Sequence, residues 1–455
     1  MHDDAKARRR HETIYRFAQN IQERYVFPTR GNWTANLKRG LRNADGTGVL
    51  IGVTGLGSVQ GYMILDGERI PMPGRLYYRG IDIRQIIDAH IEEERFGFDE
   101  IAYLLLLGKL PTTLELGHFN DMLSETCVLP EGFVEALHAS PRDRLMSKLA
   151  WLVQSLYSYD ENPDDNSLEN LVRQSLWLIA LIPVLVLHSY LIQRQAVYNE
   201  PAELCMPRNG LSLAENILYM LRPDHQYTQE EAHLLDLLLT IYAEHGGGTP
   251  PTFACRVLTS IGSDTYGTLA AAINAFKGPK DSGLNIKVLG MYEDIKRNVP
   301  DFSDEERLAD YLRRIRDGEA NDGSGKIYGL GHLIYTQSDP RALLIKQVAQ
   351  ELAEATGFDG DFKNLELIER VGLNVLCEDK GAGSVLCANV DLYSGMVFRM
   401  LRIPEDLFAP ILTIAHMPGW CAHRIEEIIS GENMMRPAYR AVSKRHDYTP
   451  IAQRG

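Results

Sequence analysis

Ser175-Leu-Trp-Leu-Ile-Ala-Leu-Ile-Pro183-Val-Leu-Val-Leu-His188-Ser-Tyr-Leu-Ile192 is an almost wholly apolar run with no second of its kind in the chain. Its 18 residues, 175 to 192, just reach the length that crosses a bilayer. Pro183 and His188 interrupt it, and a membrane protein of this size would carry further spans. The run therefore reads as the buried core helix of a large helical protein, extending over about Leu168 to Ile192, with no membrane partner.

Outward from this helix the pattern stays helical. Periodicity of the 3.6-residue kind dominates from about residue 83, and Phe98 to Leu107 opens a first apolar face. Thr228 and Glu231 have capping-box spacing, as do Ser303 and Glu306. Ser263-Asp264 caps a helix that should run to Phe276 and stop at Gly278-Pro279. Ser338-Asp339-Pro340 places proline in the first turn of a helix expected to reach Gly357. Toward the N-terminus, residues 1 to about 45 read as a polar extension with some helix. Gly61 to Ile70 then reads as a small hairpin with Asp66-Gly67 in its turn. Gly55, Gly57 and Gly61 form GxGxxxG, one residue too long for a dinucleotide fingerprint and followed by a strand pattern, which excludes that reading. The expected class is mostly α with a minor N-terminal β element.

Composition narrows the function. In 455 residues, 45% are hydrophobic and 24% charged, a normal globular balance. A net charge of −14 argues against nucleic acid as a partner, because such binding needs a basic face. An anionic small molecule remains compatible if a few arginines reverse the field locally. The six cysteines form no CxxC pair and fit no zinc spacing, so no metal is expected, and buried thiols suit a reducing cytosol. The opening MHDDAKARRRHETIYRF has no apolar h-region, and its acidic residues argue against a transit peptide.

Five polar blocks stand at glycine-rich or proline-marked helix ends. They are Ala243-Glu244-His245-Gly246-Gly247-Gly248, then Lys326-Ile-Tyr-Gly329-Leu330-Gly331-His332 with Asp339-Pro340-Arg341. Asn389-Val390-Asp391-Leu392-Tyr393-Ser394-Gly395 follows, then Ile414-Ala415-His416-Met417-Pro418-Gly419-Trp420-Cys421-Ala422-His423, and finally Met435-Arg436-Pro437-Ala438-Tyr439. Each in isolation is an ordinary cap or helix-plus-turn sequence. Asp391 would lie at a helix N-terminus, where the dipole favours an ionised carboxylate. The second block lacks the Walker pattern, which excludes a phosphate cradle of that type.

In this order and at these separations, and together with Lys38-Arg39-Gly40-Leu41 and Tyr78-Arg79-Gly80-Ile81-Asp82, the blocks resemble citrate synthases of bacterial type, including 2-methylcitrate synthase-like enzymes. The resemblance implies a large helical domain, residues 76–280 and 400–455, and a smaller one, 281–399, after an N-terminal part, 1–75. It implies a cytoplasmic homodimer of the tricarboxylic acid cycle. The implied reaction is a Claisen condensation of acetyl-CoA, or another short acyl-CoA, with oxaloacetate, giving citrate or an analogue plus CoA. No cofactor would be bound permanently, since the CoA thioester is a substrate.

By resemblance Asp391 is the base, His332 the donor to the oxaloacetate carbonyl, and His245 and Arg341 further oxaloacetate contacts. Arg436 would reach across from the other subunit. Lys326, Gly329, Leu330 and Gly331 would hold the CoA adenine side, with Asn389 beside them.

Several positions depart from the family. In Gly278-Pro279-Lys280-Asp281-Ser282-Gly283-Leu284-Asn285, Asp281 stands where the family has the histidine that donates to the thioester oxygen. An ionised carboxylate cannot donate, whereas a protonated one could. His416 stands where a second carboxylate-binding arginine is expected, and an imidazole cannot form that fork. Tyr242 and Glu244 replace residues of a His-Ala-Asp-His pattern, and Thr249-Pro250 replaces more polar residues. Losing one charge-assisted contact costs about 1.5–3 kcal/mol, and losing an acid–base group about 10²–10⁴ in rate. Two readings follow: a condensing enzyme of altered or weak activity, or a catalytically impaired paralogue with a binding or regulatory role.

Overall fold

The apolar run lies inside a 31-residue helix, Leu168–Tyr198, capped by Ser167, whose side chain accepts the Asn170 N–H. The most apolar window of this helix is 78% buried within the chain, as a core helix requires. It packs against helix Phe408–Ser430 and also touches Thr113–Thr126, Leu145–Ser155 and Leu213–Leu221. Pro183 is accommodated within it without ending it.

This computed structural model describes every residue except 1, 25–36, 141–143, 281–282, 379–384, 432, 442–444, 446 and 455. Among the described residues the chain is 60% helical, with 17 α-helices and one three-stranded sheet, which fixes the class as mostly α. The chain forms two compact units, Met1–Val53 and Thr54–Gly455. In the first, helix His2–Arg24 is followed, among the described residues, by a 3-10 turn at Arg39–Leu41. The second holds the apolar core and all the blocks described above.

The sheet opens the second unit. Strands β1 (Gly57–Leu65), β2 (Glu68–Tyr78) and β3 (Ile81–Asp82) pair antiparallel in the order β1-β2-β3. The expected hairpin is present and longer than the 61–70 segment. Asp66 (φ 51°) and Gly67 (φ 83°) make its turn, and such left-handed pairs match the strand twist. Gly61 lies where β1 crosses the 334–336 segment: a Cβ there would fall 2.5 Å from the Ile334 carbonyl oxygen. Thr336 Oγ1 accepts the Met72 N–H at 3.2 Å and donates to the Gly61 carbonyl, and Ser338 Oγ accepts the Gly74 N–H at 3.1 Å. The hairpin thus holds residues 334–338 as a clamp.

Most local signals are realised. Thr228 and Glu231 form a full capping box on Gln229–Tyr242, and Asp264 caps Thr265–Phe276. Pro340–Thr356 ends on left-handed Gly357. The Ser303–Glu306 box is a correction. Asp304 is the cap of Glu305–Arg316, accepting the Arg307 N–H at 3.0 Å, while Ser303 Oγ turns back to Asp301 Oδ1. The 414–423 block is another: it is not a helix followed by a turn but lies within the continuous helix Phe408–Ser430, Pro418 included. Gly419 serves close approach instead, since a Cβ there would sit 2.5 Å from the Ala243 carbonyl oxygen.

Helices Leu284–Asn298, Glu305–Arg316, Pro340–Thr356, Asp359–Cys377 and Asp391–Met400 pack on one another. Pro340–Thr356 also packs on Gln229–Tyr242, which brings the second block against the first.

Candidate active site

His245 follows the end of Gln229–Tyr242 by three residues. That end is pinned by Tyr78 of β2, whose hydroxyl lies 3.0 Å from both the Thr240 and Ile241 carbonyls. His245 meets His332 edge to face, with ring centroids 5.5 Å apart. Tyr335 joins them: its hydroxyl is 3.3 Å from His245 Nε2, and its ring stacks on His332 at 4.6 Å. His332 Nδ1 accepts two backbone N–H groups, those of Ile334 at 3.1 Å and Tyr335 at 3.0 Å. In the neutral ring the proton therefore sits on Nε2, which is left as the donor. For His245, burial pushes the imidazole well below its ordinary value, and the nearby Arg341 charge adds to this, so it is neutral at pH 7.

Arg341 lies in the first turn of Pro340–Thr356 and is buried. Its guanidinium meets the carboxylate of the helix cap Asp339 in a fork, Nε to Oδ1 at 3.1 Å and Nη2 to Oδ2 at 2.8 Å. Burial opposes the charge, but Asp339 outweighs it and holds the arginine firmly protonated. Asp339 Oδ2 also accepts the Val390 N–H at 3.2 Å. Val390 immediately precedes Asp391, so this one carboxylate ties the arginine helix to the start of Asp391–Met400. Asp391 is the first residue of that helix, as the sequence implied, and Asn389 Oδ1 accepts its N–H at 3.0 Å.

The glycine loop is joined to the same place. Gly331 N–H donates to the Cys387 carbonyl and Asn389 N–H to the Gly329 carbonyl, both at 2.8 Å. Asn389 Nδ2 donates to the Gly331 carbonyl at 2.9 Å, and Leu330 bridges Ala388. Gly329 has φ 85°, and a Cβ there would fall 3.0 Å from Leu392 Cα, so no other residue fits without strain. Lys326 is exposed at the mouth of this loop.

His416 lies among aromatic rings. Its ring stacks on Trp420 at 5.6 Å and meets Phe276 at 5.2 Å and Tyr242 at 6.1 Å edge to face. Burial lowers its pKa to about 4; Glu244 opposes this and Arg341 adds to it. The ring is therefore neutral at pH 7.

Glu244 is committed elsewhere: Oε1 lies 3.0 Å from His423 Nε2 and also accepts the Gly246 N–H. His423 Nδ1 accepts from Arg256 Nε at 3.0 Å, and Arg256 Nη1 reaches Glu427 at 2.7 Å. Burial alone would raise the Glu244 pKa, but His423 and the Gly246 N–H bring it below the ordinary value.

The structure thus brings His245 and His332 together, with Arg341 and His416 near enough to act on the His245 imidazole, and ties the Gly329–Gly331 loop, Asn389 and the start of Asp391–Met400 to the arginine helix through Asp339. Arg436 is exposed on the C-terminal segment, which Met435 N–H tethers to Ser260 Oγ at 3.0 Å. Asp281 lies outside the described residues. Sequence reasoning gave no role to Tyr335, Asp339 or the chain Glu244–His423–Arg256–Glu427. Asp339 and Tyr335 lie within three residues of Arg341 and His332, but their links to Val390 and His245, and the pairing of Glu244 with His423, join residues far apart in sequence.

The family profile for the citrate synthase C-terminal domain matches residues 47–438. Citrate synthase from Corynebacterium glutamicum is 32% identical over 382 residues, covering 82% of this chain and 80% of that one. The structure resembles citrate synthase from Thermotoga maritima with a TM-score of 0.72 at 27% identity, covering 92% of this chain and 99% of the other. The ternary complex of Thermoplasma acidophilum citrate synthase with carboxymethyl coenzyme A and oxaloacetate has the same fold, with a TM-score of 0.75 at 23% identity and coverage of 92% and 100%.

Proposed function

The chain belongs to the citrate synthase family, and from that premise we propose that it is an acyl-CoA condensing transferase, joining acetyl-CoA to oxaloacetate to release citrate and CoA. The observation that carries this reading is the cluster of His332, His245, Arg341 and Asp391. Asp391 removes a proton from the carbon beside the thioester. His332 Nε2–H polarises the keto group and protonates the alkoxide as it forms. Arg341 holds a carboxylate, and His245 fixes the keto acid's other edge. Lys326, Gly329, Leu330 and Gly331 receive the CoA adenine side. The thioester is a substrate, and no cofactor is resident.

The assembly, motion and location belong to the same proposal. A homodimer in which Arg436 completes the partner's site is supported by the face of Pro250–Ser260, where Phe253, Ala254, Val257 and Leu258 are only half-buried and Ile261 beyond them is exposed. Residues 281–399 would close as a smaller domain over 76–280 and 400–455, with 1–75 as the N-terminal part. Free thiols at Cys127, Cys205, Cys255, Cys387 and Cys421 suit the cytoplasm and its tricarboxylic acid cycle.

One observation favours the second reading, a paralogue that binds without turning over. His416 is neutral, and Asp339 already pairs with Arg341, which leaves the dicarboxylate weakly held. Thiol release from acetyl-CoA and oxaloacetate decides between them. Robust release by the wild type excludes the paralogue. No release by the wild type, but release by the double variant Asp281→His with His416→Arg, excludes the active enzyme.

A further inference from the structure

His423, Glu426 and Glu427 are spaced i, i+3 and i+4, so they share one face of Phe408–Ser430. Arg256, from helix Pro250–Ser260, meets all three. Its Nε donates to His423 Nδ1 at 3.0 Å, its Nη1 to Glu427 Oε2 at 2.7 Å, and its Nη2 to Glu426. Because Nδ1 of His423 accepts, the ring proton sits on Nε2 and is donated to Glu244 Oε1 at 3.0 Å. Glu244, Arg256, His423 and Glu427 are buried, so water does not screen or replace these bonds.

Each end of this network reaches a loop that carries a histidine of the site. At one end, Glu244 also accepts the Gly246 N–H, which ties together the two residues flanking His245. The next residue, Gly247, rests on the network: a Cβ there would fall 3.3 Å from Arg256 Nε and 3.6 Å from His423 Cε1. At the other end, Glu426 Oε1 accepts the Gly55 N–H at 2.7 Å, two residues ahead of β1. β1 and β2 clamp residues 334–338, and the amides of Ile334 and Tyr335 in that segment hold His332 Nδ1. The start of β1 touches the first end as well, since a Cβ on Gly57 would fall 2.5 Å from Glu244 Oε1. His245 and His332, whose ring centroids are 5.5 Å apart, thus stand on two arms of one buried ionic network.

We propose that Arg256 and His423 are positioning residues that set His245 and His332 relative to each other, and so fix the grip on the keto acid. The inference rests on the condensing reading above for what those two histidines do. Both positioning residues are buried and act through other groups: His423 through the Glu244 carboxylate, Arg256 through His423 on one arm and Glu426 on the other. The planar guanidinium makes the two arms one unit, because its fork fixes the angle between the imidazole and the carboxylates. A keto acid held from two sides needs that fixed spacing, since a misplacement of about 1 Å can cost about 10²-fold.

The test compares the full chain as wild type, His423→Leu, His423→Gln and Glu426→Ala. NMR of protein isotopically labelled at the histidine ring nitrogens reads His245 and His332 without any substrate. His423→Leu removes the donor to Glu244 and should move the His245 signals most. His423→Gln, whose amide can accept from Arg256 and donate to Glu244, should bring them back. Glu426→Ala frees the Gly55 amide and should move His332 more than His245. Calorimetry then gives Kd for oxaloacetate and for acetyl-CoA. His423→Leu should raise the first by about tenfold and leave the second unchanged, with recovery in His423→Gln. A purely structural role would lower the amount of folded protein and change neither Kd. Ring signals of His245 and His332 that stay in place in folded His423→Leu and Glu426→Ala, or a Kd that rises equally for both ligands, would overturn the inference. Should His423→Leu not fold, Glu426→Ala decides through His332 alone. A wild type that binds no oxaloacetate or releases no thiol defeats the condensing reading, while the ring signals still decide the role of the network.

Discussion

His332 accepts the backbone N–H of Tyr335 at Nδ1, 3.0 Å away, while the two rings stack 4.6 Å apart. Orientation and tautomer are thus fixed by the residue three positions on. Replacing His332 by alanine removes the Nε2–H donor, and the expected effect is a fall in kcat of about 10²–10⁴. Replacing Tyr335 by phenylalanine keeps the stack and the amide bond and removes only the hydroxyl near His245. Its expected effect is on the KM for the keto acid, with kcat changed less. Steady-state kinetics of the two variants checks this division, and a Tyr335→Phe loss confined to kcat would contradict it.

Arg256 joins His423 to Glu427 inside the protein. Removing one partner of a buried ionic network leaves the others unpaired and costs about 3–5 kcal/mol. Arg256→Ala should therefore lower the urea midpoint strongly. Arg256→Lys should recover only part of the loss, since an ammonium cannot span both neighbours as a guanidinium does. Equal stability of Arg256→Ala and wild type would rule out this role.

The acid limb of stability should carry two signatures of opposite origin. An imidazole whose folded pKa lies below its unfolded one binds fewer protons when folded, so stability falls as pH drops between the two values. For His416 that window runs from 6.5 down to about 4. Glu244, whose folded pKa is depressed, contributes stability present above its unfolded value of 4.5 and lost as pH falls below it. Urea midpoints from pH 7 to pH 4.5 should fall less steeply for His416→Phe than for wild type. Parallel slopes would show that His416 does not titrate in this way.

Gly61→Ala places a methyl group against the Ile334 carbonyl, and backbone cannot yield as a flexible side chain does. Overpacking of this kind costs about 1–3 kcal/mol. Because the displaced segment is 334–338, the variant should also lose turnover, although residue 61 touches no substrate. Thermal unfolding and thiol release measured together check both parts, and a destabilised variant with unchanged turnover would show that the clamp does not position His332.

Local chemistry made much of this legible. Thr228 with Glu231, Asp264 ahead of an apolar helix, Asp66-Gly67 in a turn and Asp391 at a helix start are each determined within a few residues of chain. Ser303 misled because Asp304, one residue on, is an equal or better cap and sits closer to the helix. The 414–423 block misled because Pro-Gly marks a turn in exposed chain. Inside the core, Gly419 meets the need for close approach to Ala243 while the helix continues. Residue types could show that Arg341 and His332 are candidates, but not that Asp339 holds the one and Tyr335 the other. The aromatic setting of His416 depends on Phe276, 140 positions earlier, and on Tyr242 in another helix.

The clamp of β1 and β2 on residues 334–338 spans separations of 264 to 275 positions along the chain. Contacts this distant form late, because the intervening chain must first be closed. The first strands are synthesised long before the loop they hold, and they wait for it through most of translation. The His332 loop is therefore set only when β1 and β2 have met a segment synthesised more than 260 positions later. An unfinished or truncated polypeptide cannot present a half-working centre to acyl-CoA, and recovery of turnover during refolding should lag behind recovery of helical signal.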